Sequence, residues 1–148
     1  AGFRRMIRRA GCLLALALLP AMAAAAEPVW MVYQRGSAVE LALDRASFRW
    51  HGRLLQVAHR ETFRKQQYEP ALKVNYFARK NTVMLDCDND RYAMIATDYL
   101  DQNGKVAWAT MFPLPDHMWQ FVKVEDGSMA AAMLDIACQT VRHPAYQN

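Results

Sequence analysis

The chain has 148 residues, 53% of them hydrophobic, and a formal net charge of +4. That excess comes from Arg4, Arg5, Arg8 and Arg9, because basic and acidic residues balance after position 26. A nucleic-acid-binding reading of the net charge would therefore rest on the N-terminal segment alone, and no nucleic-acid partner is expected; the length suits one domain with a modest core.

The basic N-terminal stretch is followed by an apolar run, Cys12 to Leu19, then Pro20 and the small-residue tract Ala21-Met22-Ala23-Ala24-Ala25-Ala26. This is the three-part pattern of a secretory signal. The expected division is a signal peptide over 1–26 and a single domain over 27–148. The apolar run falls short of the roughly 20 residues that span a bilayer, so no stable membrane insertion is expected after cleavage. Cys12 precedes most of the apolar run, whereas a lipobox cysteine follows it, so no lipid anchor is expected. Export places the remaining two cysteines, Cys87 and Cys138, in an oxidising compartment.

Short strands with turn punctuation follow. Val29 to Tyr33 and Val39 to Leu43 are β-branched and aromatic runs separated by Gln34-Arg35-Gly36-Ser37. Asp44-Arg45-Ala46-Ser47 is expected as a turn, since Asp and Ser side chains satisfy nearby amides. Phe48 and Trp50 lead to a reversal at His51-Gly52. Across Arg53 to Lys65 neither alternating face is purely apolar, which points to a strand with one exposed side or a curved edge strand. Gln66 to Ala71 reads as a loop. Lys73 to Lys80 and Thr82 to Cys87 read as two further extended segments, and Asp88-Asn89-Asp90 as a turn.

Arg91 to Leu100 and Val106 to Phe112 flank Asp101-Gln102-Asn103-Gly104, a hairpin signal with Asn-Gly suited to positive φ. Pro113 and Pro115 interrupt the ladder, and Trp119 to Val124 is a last extended piece. Ser128 is a helix N-cap. Ala130, Met133, Leu134, Ala137, Cys138 and Val141 then recur with the spacing of one buried helical stripe, which Pro144 ends. The fold class is α+β: a mainly antiparallel sheet of about six strands carrying one C-terminal helix.

Cys87 falls on the apolar face of a strand and Cys138 on the apolar face of the helix. If the helix lies on the sheet, both sulfurs enter the same layer and a disulfide is expected; two buried free thiols are the alternative. A bridge closing this loop would contribute about 4 kcal/mol on the chain-entropy model.

Motifs for chemistry are lacking. Asp86, Asp88 and Asp90 match three positions of a calcium loop, but its glycine and terminal glutamate positions hold Arg91 and Thr97. His51, His59, His117 and His143 have no zinc-site spacing, and no nucleophile elbow or phosphate loop occurs. No metal, cofactor or catalytic residue is expected; a hydrolase would need a polar cleft joining His51, His59 or His117 to a carboxylate.

Residues 35–80 are strongly basic and residues 81–148 acidic. Either the halves neutralise each other across the sheet, or a basic face is offered to an anionic partner. Trp30, Trp50, Trp108 and Trp119 are read first as core or cross-strand aromatics, second as an exposed binding patch.

Several of these pieces together resemble the surface-adhesin E family of Gram-negative envelope proteins. They are Trp30; Leu43-Asp44-Arg45-Ala46-Ser47; Asp86-Cys87 followed by Tyr92; Tyr99 before the Asp101–Gly104 turn; Trp119; and Ile136-Ala137-Cys138. The likeness runs from about Val29 to Cys138. It implies an antiparallel sheet with a disulfide-tethered C-terminal helix, a non-enzymatic role, and attachment to host matrix proteins such as vitronectin and laminin, with a capacity to form homodimers. The family's basic-aromatic binding stretch falls on Lys73 to Asn81, with Lys73, Tyr76, Arg79 and Lys80 as counterparts. The wider segment adds Arg60, Arg64 and Lys65. The family includes a lipid-anchored member and this chain has no lipobox, so both the periplasm and the outer surface remain open. The competing reading is a periplasmic small-ligand-binding or envelope accessory protein using a concave sheet face beneath the helix. A closed apolar pocket of a few hundred cubic ångströms would favour it.

Overall fold

The computed structural model describes residues 26–143; most of the expected signal segment and Pro144 lie outside them. Seven strands form one antiparallel sheet: β1 Trp30–Arg35, β2 Val39–His51, β3 Leu54–Glu69, β4 Val74–Asp86, β5 Arg91–Leu100, β6 Val106–Ala109 and the two-residue β7 Val122–Lys123. The first six run as a meander in sequence order, and β7 pairs with the other end of β5. One helix, α1 Met129–Arg142, follows. Among the described residues no helix is long and apolar enough to cross a membrane.

Side chains alternate across the sheet. One face carries Leu43, Leu55, Val57, Val83 and Leu85, which pack with Met133, Ala137 and Val141 of α1 as the main core. On the other face Met84, Ala93 and Ile95 are covered by Trp119 and Phe121 from the segment leading to β7. Helix α1 begins where Ser128 Oγ accepts from the Ala131 amide at 3.1 Å. Cys138 on its buried face is bonded to Cys87, the first residue past β4, with the Cα atoms 5.9 Å apart. The expected bridge and the expected helix placement are both present.

Several local expectations differ. Asp44–Ser47 is a bulge inside a continuous β2, with the register shifting between Asp44 and Arg49. The side chains do satisfy amides: Asp44 Oδ1 accepts from Val29 and Ala46, and Ser47 Oγ accepts from Ala58 across the strand gap at 2.7 Å. That last bond replaces a ladder carbonyl, so the chain stays extended. Strand β3 is interior, paired to both β2 and β4, which overturns the edge alternative, while its two sides do differ in burial; its mixed polarity arises from His59 and Glu61, which are buried with partners.

The expected loop at Gln66 to Ala71 is strand as far as Glu69, and the reversal occupies residues 70–73, with Lys73 at φ 53°. The two segments expected around Asn81 are one strand, because buried Asn81 is held by Glu61 and Thr97. Beyond β5, β6 ends at Ala109 instead of Phe112, and Val122–Lys123 is the only strand within Trp119 to Val124.

Candidate binding surface

The β3–β4 hairpin outruns its neighbours. Pairing of β2 with β3 starts at Val39 opposite Phe63, and pairing of β4 with β5 stops at Ala78 opposite Leu100. Past those rungs β3 and β4 pair only with each other, through Gln67–Tyr76, Tyr68–Asn75 and Glu69–Val74. The result is a two-stranded finger, with the irregular stretch between Thr62 and Gln67 at its base. Such a bulge raises local twist and re-aims side chains.

An aromatic row crosses the finger's base. Phe63 meets Tyr76 edge-on at 5.8 Å, Tyr76 meets Tyr99 at 4.8 Å, and Tyr99 meets Trp108 at 5.9 Å. Tyr76 and Tyr99 are buried, while Trp108 is 37% exposed at the end of the row. The Arg79 guanidinium lies 5.7 Å from the Phe63 ring centre and 5.9 Å from that of Tyr76. Burial alone would discourage its charge, but Glu61, at 2.7 Å, outweighs that effect and keeps it protonated. The finger itself exposes Arg64, Lys65, Lys73 and Tyr68, the last 57% exposed, with Glu69 as the one acid among its residues 64–77.

The residues singled out from sequence thus fall into three places. Arg64, Lys65 and Lys73 are on the finger; the Arg64 side chain also reaches the Gly36 carbonyl at 3.4 Å. Tyr76 and Arg79 belong to the aromatic row. Arg60 and Lys80 stand opposite each other in register, one residue out of phase with Glu61 and Arg79, and so on the reverse face. There the Arg60 guanidinium lies 4.4 Å from the Trp30 ring centre, and Lys80 bonds Asp98 at 3.4 Å. Arg60 Nε is buried without a hydrogen-bond partner among the described residues. The Lys80–Asp98 pair joins the basic and acidic halves, whereas Arg35–Glu40 and Arg79–Glu61 lie within the basic half.

Sequence reading left Phe63 and Tyr99 out of the candidate site and named Trp108 only among four tryptophans read as cross-strand aromatics or an exposed patch. Their signal was available in part: Phe63 shares parity with Glu61, and Tyr99 and Trp108 flank the Asp101–Gly104 hairpin that makes them register partners.

Next to the row, beneath the first turns of α1, a cavity of about 120 Å³ is lined by His59, Glu61, Asn81, Val83, Tyr92, Met94, Met129, Ala130 and Met133. His59 Nε2 bonds the Tyr33 hydroxyl at 2.8 Å. Burial pushes the imidazole pKa below its ordinary value, against the pull of Glu61, and pushes the Tyr33 phenol well up. His59 and Glu61 do therefore meet in a polar recess, but each is already committed, to Tyr33 and to Arg79 respectively. Among the described residues no serine, threonine or cysteine lines that recess, and its one hydroxyl is the Tyr92 phenol. Among the described residues no group of three or more His, Cys, Asp or Glu side chains is placed to hold a metal ion.

The family model described as surface-adhesin protein E matches residues 30–139. No curated protein matches the chain.

Proposed function

This chain belongs to the surface-adhesin protein E family, and on that premise we propose that it attaches to a host protein through the β3–β4 finger. Membership makes it an adhesin-like envelope protein, and such a family points to surface or exported proteins that bind host proteins. The observation that carries the finer reading is the projection of Arg64, Lys65 and Lys73 past the sheet on a two-stranded ribbon, over a base of four aromatic rings. A ribbon that clears its neighbours reaches a partner's surface without steric interference from the rest of the sheet. Its lysines and arginines recognise carboxylates or sulfates, while Tyr68 and Trp108 supply apolar contact. Arg60 and Lys80 face the other way and form a separate basic spot, available to the same partner only if it wraps the sheet edge.

The cavity beneath α1 argues against the small-ligand alternative. Its 120 Å³ is below the roughly 300–1,000 Å³ of organic-ligand sites, and the core around it is filled; the hollow of about 430 Å³ lined by Val39, Phe63, Arg64, Lys65 and Gln67 reaches that range but contains no α1 residue, so it is not the face beneath the helix.

The test is binding of the purified chain to immobilised matrix proteins, vitronectin and laminin, across a salt series. Reversing Lys65 and Lys73 to Glu should lower affinity roughly tenfold and flatten the salt dependence. Reversing Arg60 and Lys80 should have less effect. Affinity that ignores the finger charges would overturn the assignment.

A further inference from the structure

Three thioethers and an imidazole, drawn from three separate elements, converge on the cavity beneath α1. His59 comes from β3, Met94 from β5, and Met129 and Met133 from α1, where a spacing of four residues puts both on one helical face. Met133 is only 4% exposed, whereas Met94 and Met129, each 47% exposed, stand at the mouth. The Met94 sulfur lies 3.3 Å from the Thr97 hydroxyl, which bonds Asn81 Oδ1 at 3.0 Å, so it is located against the polar wall. The Tyr33 hydroxyl engages His59 Nε2. With Nε2 engaged by that outer partner, ligation by His59 would fall to Nδ1.

Thioethers are neutral, soft donors that select Cu(I)-like ions over hard divalent cations, and imidazole completes such sets. Charge points the same way. Glu61 on the cavity wall is already neutralised by Arg79, so an entering ion meets no net negative charge and a monovalent ion is the least costly to accommodate. The volume admits an ion and excludes an organic ligand.

We propose that this cavity binds one soft monovalent metal ion, Cu(I) or its analogue Ag(I), through the sulfurs of Met94, Met129 and Met133 and the His59 imidazole. The assignment is independent of adhesion: no finger residue takes part.

Silver(I) is the probe, because it needs no reductant and leaves the Cys87–Cys138 bond intact. The full chain carrying Cys12→Ser, which removes the remaining thiol, is labelled at its methionine methyl groups and titrated by NMR. One equivalent should shift the Met94, Met129 and Met133 methyl signals together with the His59 ring protons. Met129→Leu and Met94→Leu, conservative changes at half-exposed positions, should each weaken binding roughly tenfold or more. Reversal of Lys65 and Lys73 should leave silver binding unchanged. Shifts confined to the exposed Met111 and Met118, unaltered affinity in both leucine variants, or equal affinity for Zn²⁺ would each overturn the proposal.

Discussion

Glu61 on β3 and Arg79 on β4 are register partners, and Arg79 Nε donates to Glu61 Oε2 at 2.7 Å. The carboxylate is almost wholly buried while the guanidinium is partly open to water. The pair joins the aromatic row to the cavity beneath α1 and holds charge at a place where the core would otherwise be apolar.

Truncating the cation therefore costs more than truncating both partners. Arg79→Met should destabilise the protein by about 2 kcal/mol, a figure already discounted for the exposure of Arg79, because it strands a buried carboxylate. Adding Glu61→Gln should recover at least half of the loss. A urea double-mutant cycle measures this; strictly additive losses would mean that the two residues do not act as a pair.

Stability should fall in two steps as the pH is lowered. His59 resists protonation in the fold, while the unfolded chain takes up the proton near the ordinary value of 6.5. Between that value and the lowered folded one, unfolding binds protons, so stability drops with pH. At Asp86 burial disfavours the charge, but hydrogen bonds from Arg91 and Asn89 outweigh it and hold the carboxyl below its ordinary 3.8. Its contribution is complete above 3.8 and disappears as the pH falls through the folded value. Urea midpoints against pH should lose the first step in His59→Gln and the second in Asp86→Asn. Retention of either step in its variant would assign it elsewhere.

Loss of the staple is the largest single change expected. Cys138→Ala should cost about 4 kcal/mol for a sequence separation of 51 residues, enough to lower the melting temperature by roughly 10–25 °C in a domain of this size. Calorimetry with and without reductant reads it, and reductant should leave the variant's transition unmoved.

The β2 bulge is maintained by side chains. Ser47→Ala leaves the Ala58 amide without its acceptor and should cost about 1–2 kcal/mol. Hydrogen exchange should show the loss at Ala58 and its neighbours, with α1 amides little changed. Loss of protection spread evenly over the whole domain would mean that Ser47 has no local role.

The elements legible in the sequence were those governed by local period and local chemistry. The alternation across Val83, Leu85 and Cys87, the stripe from Met133 to Val141 and the Ser128 cap each carry their outcome within a few residues. The misread places depend on partners distant in the chain. Asp44 and Ser47 have turn chemistry, yet whether they bend or bulge a strand is decided by the Ala58 amide opposite. Gln66 to Glu69 look like loop because neither face is buried, which is what a ribbon extending past its sheet requires. His59, Glu61 and Asn81 interrupt apolar alternation, and only their pairing with Tyr33, Arg79 and Thr97 makes them interior. The candidate site was visible as a basic segment, but its division between two faces depends on register, which residue counts do not contain.

Cys138 lies on the helix, 51 residues after Cys87, and the strand leading to Cys87 is central to the sheet. A polypeptide emerging amino-terminus first therefore presents the Cys87 thiol before its mate is made. Over that interval the sheet is the part of the fold able to shelter Cys87 until the helix docks and the bond closes.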